Sequence, residues 1–231
     1  MLSRVNYNLI YAKYKRLGKG NVRLTQSTLV LTKPINPNVA TYNFDVLETQ
    51  TATLAPNEIR LNLNDEFIIT QLGLFLEASV EVGGAVTGQK VLFTYAPAQL
   101  DGTTAAGLQN FYNGNLQIAV NNIVYLDKFD SRKHMFVPRT QIQNSIAPNS
   151  AQIDSNNFSK DAMFSIEPTL VLSGAKKNQI TLSLPSAITG GSFTFTDDKG
   201  AVISYRIDRI CCIARGLNAQ NGSVFQSGSS K

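Results

Sequence analysis

The sequence is poor in the side chains that most catalytic and metal sites require. His134 is the only histidine among the 231 residues, and tryptophan is absent. Most Ser/His/Asp, Cys/His and multi-histidine metal arrangements therefore lack a member. His134 stands in a charged stretch, so we expect it on the surface or in a subunit contact. The sequence predicts a protein that is not an enzyme, with no catalytic residues, no metal site and no cofactor.

Carboxylate pairs remain as candidates for acid and base catalysis. Two carboxylates on either side of a bond are what glycoside hydrolysis needs. Asp65-Glu66 opens a predicted strand and Asp197-Asp198 lies in a predicted hairpin loop, and in such places these residues cap backbone groups. A glycan-cleaving enzyme that uses one of these pairs, or Asp127 with Asp130, stays open as an alternative.

Cysteine and long apolar runs are also scarce. Cys211 and Cys212 are the only cysteines, and neighbouring side chains on a strand point to opposite faces. We expect two buried thiols without a disulfide framework, in a chain that assembles in a reducing cytoplasm. The run from Ile210 to Ala214 is far shorter than a membrane span. Asn6 and Lys13 interrupt the apolar stretch that a signal peptide would need near the N-terminus, so we expect no secretory signal peptide.

Acidic residues are missing from the start of the chain. Seven of the 21 basic residues precede Asp45, and none of the 16 acidic residues does. This distribution predicts a basic N-terminal arm over residues 1–26 that contacts the genome, a membrane or a neighbouring subunit. Its candidate contact residues are Arg4, Tyr7, Tyr11, Lys13, Tyr14, Lys15, Arg16, Lys19 and Arg23.

Beyond Thr28, apolar residues alternate with polar ones in short segments separated by Gly, Pro, Asn and Ser, which predicts an all-β sandwich. The clearest strand is 67–82. Its even-numbered positions are apolar except Thr70, and its odd face, with Glu77 and Ser79, should be partly wet. Asn121-Asn122 predicts the turn of one hairpin, and 197–200 that of another.

The predicted strands fall into two groups, which suggests two tandem jelly rolls, the second one smaller. The predicted domains are the arm 1–26, a first sandwich 27–140, a connector with a second sandwich 141–217, and a flexible polar tail 218–231. The predicted strands lie near 28–32, 41–48, 59–63, 67–82, 90–95, 115–120, 123–127, 134–138, 162–167, 169–173, 179–184, 192–197, 201–208 and 210–215.

This layout resembles the major capsid proteins of tailless icosahedral bacteriophages in the double jelly-roll lineage. The resemblance rests on the whole pattern and on the segments Asn115–Tyr125 and Leu172–Leu182, which are similar to hairpins of phage virion proteins. It implies a structural virion protein, assembled in the host cytoplasm, that forms homotrimers within a self-assembling capsid shell. Its partners would be copies of itself, other virion proteins, and the genome or an internal membrane through the arm.

Two alternatives stay open beside the resemblance. The chain is short for two complete jelly rolls, so one jelly roll with a large insertion, as in vertex or minor capsid proteins, also fits. The second alternative is a phage spike or receptor-binding protein exposed on the virion surface.

Overall fold

The computed structural model describes residues 4–16, 22–49, 54–55, 57–97, 99–136, 162–196 and 200–223. Two short 3-10 turns, at Asn110–Asn113 and Ser131–His134, accompany two α-helices and ten strands in this part of the chain. The elements are α1 Arg4–Arg16, β1 Arg23–Pro34, β2 Thr41–Phe44, β3 Glu66–Val82, β4 Ala85–Phe93, α2 Gly102–Gln109, β5 Asn115–Val120, β6 Ile123–Asp130, β7 Phe164–Ser173, β8 Asn178–Ser183, β9 Gly191–Thr196 and β10 Val202–Gln220.

The strands form two sheets, and every strand pair is antiparallel. The first sheet has the order β1-β10-β3-β4, with β7 also paired to β3 and β9 to β10. The second sheet has the order β2-β8-β5-β6. The chain crosses between the sheets at six of its nine connections between successive strands. The strand orders β1-β10-β3-β7 and β2-β8-β5-β6 have the connectivity of one jelly roll. The strands β4 and β9 extend the first sheet.

The all-β sandwich class is therefore confirmed, but two tandem sandwiches are not seen in the described residues. Strands from 27–140 and 141–217 share both sheets, because β10 lies between β1 and β3, and β8 lies between β2 and β5. The arm and tail boundaries also fall within strands, since β1 begins at Arg23 and β10 ends at Gln220. The rest of the predicted tail, 224–231, and the predicted connector, 140–159, lie outside the described residues.

Apolar side chains from both sheets fill a common core between them. Leu74 and Leu76 of β3 meet Ile118 of β5 and Leu182 of β8 in this core. Cys212 joins it, whereas Cys211 faces the opposite side of β10, so the predicted pair of buried thiols on opposite faces is confirmed. Burial raises the pKa of Cys212 to about 12, which keeps this thiol protonated and unreactive at neutral pH.

The alternation along β3 is broken by a bulge that the sequence shows only as Thr70. Phe67 and Ile69 enter the core, Ile68 faces outward, and the register then shifts between Ile69 and Gln71. The hydroxyl of Thr70 donates to the carbonyl oxygen of Arg215 at 3.1 Å. Beyond the bulge Leu72, Leu74, Leu76 and Ala78 face the core as predicted, whereas Val82 at the end of the strand is 41% exposed. The prediction that Ile68 shares their face is wrong, because one extra residue reverses the alternation.

The odd face of β3 is also drier than predicted. Glu77 and Ser79 are only 2% and 3% exposed. Lys90 and Arg209 on the neighbouring strands pack against them, with the Lys90 amine 4.0 Å and the Arg209 guanidinium 3.6 Å from the Glu77 carboxylate. Burial raises the pKa of Glu77, although the two cations oppose this shift.

The two predicted hairpins pair as expected. Asn121 and Asn122 both have positive φ, as a two-residue hairpin turn requires, between β5 and β6. The strands β9 and β10 pair from Gly191 with Ile207 to Thr196 with Val202, and most of their turn lies outside the described residues. The strands predicted at 201–208 and 210–215 are one strand, β10, with a bulge between them. The strands predicted at 162–167 and 169–173 are likewise one strand, β7.

Candidate functional site: the outer face of the first sheet

Helix α1 lies against the outer face of the first sheet. Ile10 and Tyr14 point at the sheet, and the Tyr14 hydroxyl donates to a carboxylate oxygen of Glu66 at 2.7 Å. Tyr14 is only 5% exposed, and its burial, together with Glu66, raises its pKa. The helix therefore packs on the body of the protein. We call this contact the α1 patch, formed by Ile10, Tyr14, Val22, Leu24, Ile68, Leu217 and Ala219.

The remaining arm residues are distributed around this contact. Tyr7 and Tyr11 are exposed, and their rings stack with centroids 6.5 Å apart and an interplanar angle of 8°. Lys13 and Lys15 are exposed on α1, and Arg23 is exposed at the start of β1. Arg4 and Arg16 are the end residues of α1, and Lys19 lies outside the described residues. Of the predicted contact residues, Tyr14 has a structural role.

A polar trough crosses the outer face beside the α1 patch. Its central row pairs Thr28 of β1 with Arg215 of β10, and Arg215 with Gln71 of β3. The neighbouring row on one side, with Leu217 and Ile68, belongs to the α1 patch. The trough is lined by Gln26, Ser27, Thr28, Thr70, Gln71, Arg215 and Gly216.

A second apolar patch bounds the other side of the trough. Phe75 and Cys211 on the outer face are covered by Ala162 and Met163, with Phe136 packed against them. We call this contact the Met163 patch. Because both neighbours are covered, the row through Arg215 is recessed between them.

Two bulges give the trough its shape. The register between β10 and β3 shifts between Arg215 and Gly216, and the register between β3 and β7 shifts between Ile69 and Gln71. A Cβ atom at Gly216 would collide with the carbonyl oxygen of Ile68, so only glycine allows the two backbones to approach this closely. The sequence signal for this site was Thr70, the single polar residue in the apolar series of β3.

His134 is buried, which corrects the prediction that it lies on the surface or in a subunit contact. Its Nδ1 atom lies 3.2 Å from the carbonyl oxygen of Ala162, so Nδ1 carries the proton and donates. Its Nε2 atom is buried and has no hydrogen-bond partner among the residues that the structure describes. Burial lowers the pKa of His134 to about 4, which keeps the ring neutral at pH 7.

The carboxylate pairs that fall within the described residues have local partners. Asp130 caps the turn at Ser131–His134 and pairs with Arg132 at 2.7 Å. The hydrogen bonds from Arg132 lower the pKa of Asp130. Asp127 accepts a hydrogen bond from Gln117, and Asp65 accepts one from Asn218. The pair Asp197-Asp198 lies outside the described residues.

An apolar hairpin tip projects from the edge of the second sheet. Ile123, Val124 and Tyr125 follow the turn of the β5–β6 hairpin and are 60%, 46% and 56% exposed. None of the eight residues of β6 is buried, and β6 is the last strand of its sheet. We call Ile123, Val124 and Tyr125 the β6 tip.

Within the described ranges, no three His, Cys, Asp or Glu side chains are placed to hold a metal ion. A search of the same residues finds no helix with the length and apolarity to cross a membrane. The chain matches no family model, no curated protein and no solved structure.

Proposed function

We propose that the protein is a structural virion protein that assembles with copies of itself into an icosahedral capsid shell. The observation that carries the proposal is the strand order of one jelly roll with an unburied edge strand, β6. A jelly roll is a rigid block of a kind that recurs in capsid and lectin domains. The fold alone does not define function, so the proposal depends on a surface that such a block could use for assembly.

The β6 tip supplies that surface. Three consecutive apolar residues of a strand point to both of its faces, so their joint exposure means that the tip stands clear of the sandwich. An exposed apolar group that includes a tyrosine is typical of the centre of a protein interface. Register shifts between β5 and β6, with a positive φ at Lys128, make the edge irregular and disfavour the addition of another strand. The tip therefore fits side-chain packing against a neighbouring subunit.

One observation favours a second candidate, a vertex, minor capsid or spike protein. The described strands complete one jelly roll, whereas the double jelly-roll lineage places two in each chain. Compared with a major capsid subunit, such a protein would occupy fewer positions on the virion, and more of the protein's own surface would be exposed.

Light scattering coupled to size-exclusion chromatography tests the role of the β6 tip. We expect Val124→Ser with Tyr125→Ser to lower the assembly of the purified protein at least tenfold in apparent affinity, because two apolar anchors are lost. Val171→Ser is the matched control, since this valine is exposed on β7. Equal assembly of the tip variant and the control would contradict the proposal for this surface.

A further inference from the structure

The two sheets of the sandwich differ in length. In the first sheet β3 has 17 residues and β10 has 19, whereas the strands of the second sheet have between four and eight. At about 3.3 Å per residue, β3 is roughly 50 Å long. The second sheet can cover only part of this length, so β3 and β10 extend beyond it.

The two sheets are level at the end where β3 begins. The amide of Gly174 donates to the carbonyl oxygen of Asp65 at 2.8 Å, and the amide of Asn121 donates to the carbonyl oxygen of Lys177 at 2.8 Å. Gly174 and Lys177 belong to the same turn, between β7 and β8. Because Asn121 is in the β5–β6 turn, the β6 tip also lies at this end. The first sheet therefore overhangs at the opposite end, where β3 stops at Val82.

The covered part of the inner face ends shortly before the end of β3. Ala78 and its partner Ile207 on β10 are fully buried. Helix α2 lies over this row, because a Cβ atom at Gly191, the β9 partner of Ile207, would touch side chains of the helix. Val80 is 4% exposed and Val82 is 41% exposed. The cover is thus lost between these two valines.

The uncovered end of the inner face is apolar. Val82 pairs with Ile203 of β10 and Ala85 of β4, and directly opposite residues share one face of a sheet. We call these three residues the β3 shelf. Ala85 is exposed and Ile203 is half-buried. The ion pair of Glu81 with Arg206, at 3.6 Å, lies on the other face, because Glu81 precedes Val82 on the strand.

We propose that the β6 tip of one subunit packs beneath the β3 shelf of the next subunit. The tip presents Ile123, Val124 and Tyr125, which carry no charge and suit the uncharged shelf. The second sheet of the neighbour would then continue the layer that ends short of Val82. Removal of both apolar surfaces from water stabilises this contact.

The positions of the two surfaces favour a second copy of the chain as the occupant of the shelf. The tip projects at one end of the subunit, and the shelf is open at the other end, roughly 50 Å away. A contact between two unlike surfaces leaves one of each free for the next copy, so the assembly grows until it closes. A contact between two tips would stop at a dimer. The inference rests on the proposed function, because it names the surface that the β6 tip contacts.

Cross-linking of engineered cysteines in the full-length protein tests the contact. The natural protein is the blank, since Cys211 and Cys212 are both buried. Val82→Cys places a thiol on the shelf, and Val124→Cys places one on the tip. We expect a short bismaleimide to link an equal mixture of the two variants into dimers and to link neither variant alone. The double variant should give a ladder of longer linked chains.

Val86→Cys is the matched control on the same hairpin. Val86 is 60% exposed and pairs with Glu81, so it faces away from the shelf. We expect its mixture with Val124→Cys to give little linked product. Equal yields from Val82→Cys and Val86→Cys would show that the inner face is not what the tip contacts, and would overturn the inference.

A pair of charged variants supplies a second measurement, by light scattering, that does not depend on cross-linking. Val82→Lys and Val124→Glu should each lower assembly, because each places a charge against an apolar surface. The double variant should regain part of this loss, because opposite charges then meet at every contact. A double variant that assembles less than either single variant would contradict the pairing of shelf and tip.

Light scattering on the cross-linked samples separates this inference from the shell. An assembled protein in which Val124→Cys links to itself has contacts between two tips, which contradicts the inference alone. An assembled protein in which shelf and tip do not link has another occupant on the shelf, and this result also contradicts the inference alone. A protein that stays monomeric contradicts both the shell and the contact.

Discussion

At the residue scale, the buried polar groups define how the protein responds to pH. The neutral ring of His134 packs 5.5 Å from Phe129, and the amine of Lys133 lies over the rings of Phe129 and Phe164. Protonation would place a positive charge in this dry, partly cationic setting, with Nε2 left without an acceptor among the described residues. The cost of that charge is the reason for the lowered pKa of His134.

We predict that acid destabilises the protein through His134. The unfolded chain takes up a proton near pH 6.5 and the folded chain only near pH 4, so the stabilising effect of the neutral ring is complete above pH 6.5 and is lost as pH falls towards 4. This difference corresponds to about 3 kcal/mol of unfolding free energy. His134→Asn keeps an amide donor for the carbonyl oxygen of Ala162 and removes the titration.

Urea unfolding from pH 7 to pH 4 measures this effect. The stability difference between the natural protein and His134→Asn should shrink or reverse as the pH falls, because only the natural protein carries the histidine. A difference that is constant across this range would contradict the assignment. The comparison cancels the titration of the carboxylates, which both proteins share.

The sequence predicted the surroundings of the two cysteines correctly but not those of His134. Two cysteines at adjacent strand positions predicted buried thiols on opposite faces, because the alternation of faces is a local property of a strand. The charged neighbours of His134 pointed to the surface, yet Asp130 and Arg132 pair with each other and leave the histidine to turn inward. Burial at this site depends on Ala162, which lies 28 residues further along the chain and could not be paired with His134 from local pattern.

At the scale of elements, the charge pattern predicted the basic residues of α1 but not the contact of this helix with the sheet. Its basic residues predicted an arm, and Lys13 and Lys15 are indeed exposed. The opposite side of the helix completes the α1 patch, where Tyr14 and Ile10 cover Leu217 and Ile68. The weak amphipathic pattern of α1 concealed this contact, because only a narrow stripe of the helix touches the sheet.

We predict that deletion of residues 1–20 destabilises the body of the protein. The deletion removes the burial of Tyr14 and Ile10 and exposes the apolar part of the sheet beneath them, at a cost of about 3 kcal/mol. Thermal unfolding and binding of an apolar dye measure the two effects. Lys13→Gln with Lys15→Gln is the control, since it removes charge and leaves the packing intact. A truncated protein as stable as the control would contradict the packing role of α1.

At the scale of the whole molecule, the all-β class and the two hairpins could be predicted, but the sheet order could not. Alternation of polar and apolar residues specifies the faces of a strand, and turn residues specify its nearest neighbour. Neither specifies which distant strand lies alongside. Arg23 pairs with Gln220 across almost the whole chain, and this pairing is what joins the two predicted sandwiches into one.

The same reason explains the trough. Its walls come from β1, β3 and β10, and its shape depends on bulges that place Thr70 beside Arg215. In the sequence, Thr70 stood out only as a polar residue in the apolar series of β3, and no bulge was predicted there. The location of the site required the pairing of three strands that are far apart in sequence.

Electron microscopy of the purified full-length protein tests the central proposal most directly. We predict closed shells of uniform size in which each chain contributes one sandwich, with β6 tips at the contacts between subunits. A protein that remains monomeric at high concentration, or that forms only open and irregular aggregates, would contradict the assignment as a capsid subunit.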